Sequence, residues 1–258
     1  MPTMDPYKNK ARKARLRLIG AAVVAAAAVI AGGVLAVTSL GGDKAGPSHG
    51  EKQGQGPTPS SSGTAGPAKK YTPATAPQTH ILKPRTTKNG ISVGFEHSGL
   101  GALSAAVTYW QDLDILDDRI ARRQWTTIAS KDSPGTVDRA VSDVRKVREG
   151  ANLPPSGGTP AGLSITTHVK AALSRSLDST GDIVRVWMFY DRYATVPDKA
   201  GDDNPDKDET ADLVVKWEDG DWKVTEESRY FKRTRGVHAY DPDSPYAFQD
   251  GWREVAGD

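Results

Sequence analysis

Twenty-three consecutive residues without a charge, Leu18 to Leu40, constrain this chain more than any other feature of its sequence. As a helix, such a run spans about 35 Å, enough for a hydrocarbon core of about 30 Å with some tilt. A cleaved signal peptide is the competing reading. Its apolar region runs about 7–15 residues and ends in a small-x-small site. This run is longer, and its outer end, Val37-Thr38-Ser39-Leu40, offers no such site. Residues 1–17 carry Lys8, Lys10, Arg12, Lys13, Arg15 and Arg17 against Asp5 alone. Cations are retained on the cytoplasmic side, so the expectation is a single-pass protein of the cell membrane. Its basic N-terminal tail (1–17) would be cytoplasmic, residues 18–40 would cross the lipid bilayer, and the C-terminal domain would be extracellular. Ala28, Gly32 and Ala36 form a small-residue stripe through which the helix could form a homo-oligomer.

Composition then divides the remainder. Residues 41–90 hold nine Gly, seven Pro and eleven Ser or Thr. A segment of that kind buries too little apolar surface to offset its ordering entropy, and it reads as a flexible linker. Residues 91–258 have globular composition and enough length for one core. The net charge of +2 is misleading, because the cations crowd beside the apolar run and leave the rest mildly acidic. No nucleic-acid partner is expected, since that would need a basic excess in the folded part. The chain has no cysteine, which excludes disulfides, thiol catalysis, cysteine zinc sites and lipid attachment through a lipobox.

Within the outer domain, helical spacing comes first. Leu100, Leu103, Val107 and Trp110 recur on one face after Gly99, with Ser98 as the cap. Asp117 or Asp118 starts a second helix carrying Ile120, Trp125 and Ile128. Asp132-Ser133-Pro134 is expected to cap a third, with Val137, Val141 and Val144 on one side. The period then changes to two. Ile165, Thr167, Val169, Ala171 and Leu173 alternate with polar residues, as in a half-buried strand, although a helix over 168–177 stays open. Residues 183–196 are apolar on both faces, which suits a central strand. Asp219-Gly220 is a two-residue hairpin turn that sets Glu218 opposite Asp221 and Trp217 opposite Trp222. Lys216 and Lys223 then point to water. After Phe231 the chain is aromatic but irregular and is expected to wrap over the sheet. Helices followed by an antiparallel meander indicate an α+β fold, with helices packed on a curved antiparallel sheet.

Two short motifs carry a resemblance. One is Gly94-Phe95-Glu96-His97-Ser98 followed by Gly101-Ala102, Ala105-Ala106 and Tyr109; the other is the Trp217–Val224 hairpin, W-x-DGDWKV. With the tail–helix–linker plan, these resemble bitopic actinobacterial membrane proteins of plasmids and integrative elements. The outer domain is similar to the cone-shaped, nuclear-transport-factor-like (cystatin-like) superfamily, as in conjugation and type IV secretion scaffold subunits. The resemblance covers residues 1–230 loosely, and it departs in holding one cone where some Gram-positive scaffolds hold two. It implies a cone-shaped fold and a membrane-anchored scaffold contacting envelope or secretion-machine proteins, with no catalysis of its own. The alternative is a ligand-binding or envelope-sensing module with a pocket in the cone.

Candidate sites follow. His97 and Ser98 are adjacent and lack a partner acid, so they read as structural, together with Trp217, Gly220 and Trp222. His168 falls on the polar face of its strand. Asp191 and Arg192 interrupt the apolar central strand, most simply as a charge pair at a sheet end. In cone-fold enzymes the catalytic acids point into the pocket, which makes Asp191 with Trp187, Tyr190 and Tyr193 the candidate ligand-binding group. Asp202, Asn204, Asp206 and Asp208 alternate as calcium ligands do. The turn glycine and terminal glutamate of a calcium loop are missing, with Lys207 and Leu213 in their places, so the segment reads as a solvated acidic loop. No metal, cofactor or catalytic residue is expected.

Overall fold

In the computed structural model, residues 71–195, 202, 205–232 and 237–256 are described. The chain runs β1 (Thr86–Lys88), β2 (Ile91–Val93), α1 (Gly99–Asp112), α2 (Asp118–Ile128), α3 (Thr136–Gly150), β3 (Ser164–Ser176), β4 (Ile183–Thr195), β5 (Asp206–Glu218), β6 (Asp221–Val224), α4 (Ser228–Phe231), α5 (Pro245–Asp250) and β7 (Arg253–Glu254). Strands β1 and β2 form a small antiparallel sheet, joined by Asn89 and Gly90, both at positive φ. The main sheet has five antiparallel strands in the order β6-β5-β4-β3-β7.

Helix α1 explains how the helical layer docks. Ser98 accepts a hydrogen bond from the Gly101 N–H at 2.9 Å and caps the helix. Its buried face is mostly small: Gly101, Ala102, Ser104, Ala105 and Ala106 let the backbone approach the sheet closely, while Leu103, Val107 and Trp110 fill the interior. Leu100, expected on that face, is instead exposed. Asp117 caps α2 through the Arg119 and Ile120 N–H groups. The third helix departs from expectation. It begins at Thr136 behind Gly135 and has no side-chain cap. Asp132 accepts from Thr225 and Lys216 instead, at 2.8 and 3.0 Å, so it ties the loop to the sheet rather than to the helix.

The alternation in β3 does not run unbroken. A bulge between Val169 and Ala171 inserts one extra residue, Lys170. Ile165 and Val169 belong to the helix-side core, but past the bulge it is Ala172 that joins them. Ala171 and Leu173 turn to the opposite face, where Phe189, Tyr240, Phe248 and Trp252 make a second apolar cluster. The aromatic C-terminal segment thus covers the far side of the sheet. Central strand β4 supplies both clusters, with Val184, Val186, Met188 and Tyr190 on one side and Trp187 and Phe189 on the other. In the β5–β6 hairpin Trp217 pairs with Trp222 and Glu218 with Asp221, across Asp219 and Gly220 at φ 55° and 78°. Lys216 and Lys223 are not simply solvated: Lys216 pairs with Asp132, and Lys223 donates to the Thr127 carbonyl at 2.9 Å.

Several expectations are corrected here. The α+β class stands, but the sheet is neither closed nor curled into a cone. Its outer strands are only four and two residues long, too short to wrap and pair edge with edge, and both of its faces carry packed cores. The apolar run 18–40 lies outside the described residues. Among the described residues no helix is long and apolar enough to cross a membrane. The transmembrane architecture, the bilayer as partner and the cell-membrane localisation are therefore withdrawn. Residues 71–90, linker-like in composition, contribute β1 and the half-buried Ile81 and Leu82 to the fold, and Thr79 pairs with Val255.

Candidate functional site

The four residues grouped as a ligand site from sequence lie on two faces of β4. Side chains alternate along a strand, so residues one apart point oppositely. Trp187 lies on the C-terminal-segment side, with the Arg185 guanidinium 4.8 Å from its ring centre. Asp191 and Tyr193 share that side, with the Tyr193 hydroxyl donating to Asp191 at 3.0 Å. Asp191 also pairs with Lys170 at 2.7 Å and accepts from the Asp208 N–H at 2.9 Å. Burial works to raise the Asp191 carboxyl but is outweighed by Lys170, the Asp208 N–H and Tyr193, which hold it below the usual range. These partners account for Asp191, whose network reads as an ion-pair clamp at two bulges. Tyr190 points to the helix side, where its ring meets Trp110 edge-on at 5.5 Å.

The two sequence motifs come together as packing. His97 stacks on Trp217 at 4.3 Å, nearly parallel, and hydrogen-bonds to Asp182 at 2.7 Å. Trp222 is fully buried and donates its indole N–H to the Glu96 carbonyl at 2.8 Å. The Tyr109 hydroxyl donates to the Trp222 carbonyl at 2.9 Å. Gly220 occupies the turn, and His168 lies exposed on β3.

A different constellation occupies the helix side of the sheet near the C-terminal end of β4. Arg192 is 3% exposed. Its Nε donates to the Thr167 hydroxyl of β3 at 3.0 Å, and its guanidinium lies 5.1 Å from the Tyr190 ring and 5.6 Å from the Trp110 ring. Arg192 Nη1 and Trp110 Nε1 are both buried donors with no hydrogen-bond partner among the described residues. Leaving such a donor buried and unpaired costs about 1–3 kcal/mol, more when it is charged. Two of them around one pair of side chains call for an acceptor.

Across the sheet, Asp206 of β5 is the Cα partner of Arg192, brought there by the register shift after Tyr190. Asp208 sits in that shift at φ 60°. Asp206 and Asp208, read from sequence as parts of a solvated acidic loop, thus belong to a strand, with Asp206 buried and Asp208 exposed. Burial first, then the charge of Glu209, pushes the Asp206 carboxyl up to about 6 in spite of Arg192. A cavity of about 380 Å³ is lined half by apolar residues, Leu113 and Ile165 among them, and half by polar ones, including Asp112, Asp114 and Gln124; Trp110, Thr167, Arg192 and Asp206 do not line it. Ile165 lies two residues before Thr167 on β3, a same-face separation of about 6.7 Å. Gln111, the residue after Trp110, also lines the cavity. Among the described residues no group of three or more His, Asp or Glu side chains is placed to hold a metal ion.

In the sequence, Trp110, Arg192 and Asp206 stand apart as a helix-face residue, a strand-end charge and a loop acid. The one usable signal was a charged pair interrupting an apolar strand. Its strand partner was hidden by the bulge in β5.

No protein-family model matches the chain, no curated protein matches it, and no solved structure matches it. The resemblance to actinobacterial membrane proteins and secretion scaffolds is thereby left without support. The expected conjugation or secretion role, its envelope partners and the alternative of a ligand-binding or envelope-sensing module with a pocket in a cone are corrected with it.

Proposed function

We propose that this α+β domain binds a small molecule at the helix side of its sheet, through Trp110, Thr167, Tyr190, Arg192 and Asp206, without transforming it. The observation that carries the reading is the pair of buried, partnerless donors, Arg192 Nη1 and Trp110 Nε1. Protein interiors satisfy more than about 90% of their buried polar groups, and the exceptions concentrate where a ligand or water completes the set. A cavity of about 380 Å³ between α1, α2 and the start of β3, with a wall of mixed polarity, has the size of a small-ligand pocket, although none of these five residues lines it. The Trp110 and Tyr190 rings lie 5.6 and 5.1 Å from the guanidinium and 5.5 Å from each other, so both aromatic groups flank the same side of the cation.

The test is ligand-observed saturation-transfer NMR of the full chain against a fragment library rich in hydrogen-bond acceptors, with Trp110→Phe and Arg192→Met alongside. Phe keeps the ring and deletes the N–H, and Met replaces a buried cation by an apolar chain of similar length. Acceptor-bearing fragments are expected to bind the parent protein and to lose most of their signal in both variants. A library that yields no binder, or binders indifferent to both substitutions, removes the reading.

A further inference from the structure

We propose that the outer edge of β3 over Ser164–Val169 receives an extended segment of a partner protein as an added antiparallel strand, with a lysine side chain of that segment entering the cavity beside Ile165. This stands independently of the small-molecule reading, because it draws on neither the Arg192 nor the Trp110 donor. The bare edge is the first observation. Strand β3 pairs with β4 along its whole length, from Ser164 to Ser176. On its other side β7 pairs with Ala171 and Ala172 alone, and the Val255 N–H donates to the Lys170 carbonyl at 2.8 Å. The Ala194 N–H of β4 is bonded to Asp202 on the β5 side, at 2.7 Å. Ile165, the register partner of Ala194, therefore turns its own N–H and C=O away from β4, and alternation gives Thr167 and Val169 the same direction. None of these outward backbone groups has a backbone partner among the described residues.

The composition of the edge is the second. Folded chains blunt a free edge with lysine, proline or a bulge. Here the bulge and Lys170 come only where β7 takes over. Residues 164–169, Ser-Ile-Thr-Thr-His-Val, hold no lysine, arginine, acid, proline or glycine, and four of the six are β-branched strand formers. Ser164, Thr166 and His168 are exposed. Such an edge is a ready template for strand addition, in which the ladder supplies affinity and pockets for alternate side chains supply specificity.

The cavity is the third, and its charge selects the occupant. Ser164 and Ile165 line it at the start of the edge. A residue set opposite Ile165 on an added strand has its Cβ about 4.5–5.5 Å away on the same face of the sheet, the helix side. Asp112 and Asp114 stand in the cavity wall, and no lysine or arginine lines it. Asp112 Oδ2 accepts from the Ser92 N–H at 2.7 Å, and Asp114 Oδ1 from the Leu116 and Asp117 N–H groups at 2.8 and 2.7 Å. The other oxygen of each carboxylate has no hydrogen bond among the described residues. A lysine meets both halves of this wall, with its methylenes against Leu113 and Ile165 and its ammonium at a carboxylate.

The test uses the full chain and the capped peptide acetyl-Thr-Val-Thr-Val-Thr-Lys-Thr-amide, which sets lysine opposite Ile165 and the valines opposite Thr167 and Val169. Fluorescence polarisation of the dye-labelled peptide reads affinity, and amide hydrogen exchange of the protein reads the place. Binding is expected, with exchange slowed over 165–169. N-methylation of the peptide at its valines and lysine, whose N–H groups face β3, should abolish binding. N-methylation at its threonines, which face away, should leave it. Norleucine in place of lysine should weaken binding by about two- to fivefold. That gap should close in the double variant Asp112→Asn, Asp114→Asn, which keeps the carbonyl acceptors and deletes the charges. Absence of binding, indifference to which set is methylated, or protection that appears away from 165–169 overturns the strand addition. A norleucine peptide that binds as tightly as the lysine peptide overturns the choice of occupant. Protection of 165–169 that rises with protein concentration without peptide gives the edge to a second copy of the chain and overturns the partner segment.

Discussion

Replacing Gly101 by alanine tests the closest backbone approach in the fold. A Cβ at this position would lie 1.9 Å from the Glu96 carbonyl oxygen and 2.9 Å from its carbon. Neither is the end of a flexible side chain, so the 96–98 segment must retreat by about 1 Å or more before the contact becomes tolerable. That movement pulls on two hydrogen bonds. Ser98 Oγ accepts from the Gly101 N–H at 2.9 Å, and losing such a cap costs about 1 kcal/mol. The Glu96 carbonyl accepts from the fully buried Trp222 indole at 2.8 Å, and an indole N–H left unpaired there costs about 1–3 kcal/mol. Against this, alanine gains about 0.5–1 kcal/mol over glycine in a helix. The net expectation is a loss of about 2 kcal/mol or more, or about 4–8 °C in Tm for a domain of this size. Gly99, two residues earlier in the same turn, has open space around its would-be Cβ. Gly99→Ala should therefore be neutral or slightly stabilising. Thermal unfolding of both variants, followed by near-UV circular dichroism to report on Trp222, makes the comparison. If Gly101→Ala melts at or above Gly99→Ala, the reasoning about this junction is wrong.

Gly220 sits at φ 78° in the β5–β6 turn, where a β-branched side chain is strained. Gly220→Val should cost about 1–3 kcal/mol in urea unfolding, and an unchanged midpoint would contradict the turn. Arg148 is buried and donates to the Pro154 carbonyl at 2.7 Å, the Gly158 carbonyl at 3.0 Å and the Leu116 carbonyl. Arg148→Met strands all three acceptors and should cost about 2–4 kcal/mol, with faster hydrogen exchange in the 152–160 segment as its signature. Burial raises the Asp206 carboxyl in the folded chain from its ordinary 3.8 to about 6. Its contribution to stability is therefore complete below about pH 4 and is lost as pH rises through about 6. Asp206→Asn cannot ionise, so the Tm of the variant minus that of the parent should increase across this window, and a pH-independent difference would refute the assignment.

Legibility from sequence divides by range. Ser98 and Asp117 announce their helices because a cap is an interaction over two or three residues. Asp219-Gly220 announces its turn for the same reason, and the turn alone sets the Trp217–Trp222 register. The apolar character of β4 on both faces predicts a strand covered from both sides, which it is. Asp132 shows where local reasoning stops. Its place before Ser133-Pro134 is that of a cap, yet Thr225 and Lys216 from the sheet claim the carboxylate first.

By itself, then, the sequence determined the α+β class of the described region, the caps of α1 and α2, the tight hairpin and the presence of a two-sided central strand. Each follows from residue spacing and backbone preference within one element. Tertiary structure alone decided which residues share a face. One bulge at Lys170 moves Ala171 and Leu173 to the far core, and a second near Asp208 sets Asp206 opposite Arg192. A bulge shifts every downstream side chain by one position, and the gain that maintains it comes from partners on neighbouring strands. For that reason Trp187, Asp191 and Tyr193 separate from Tyr190, while Trp110, Arg192 and Asp206 meet around donors that only the folded chain leaves unpaired.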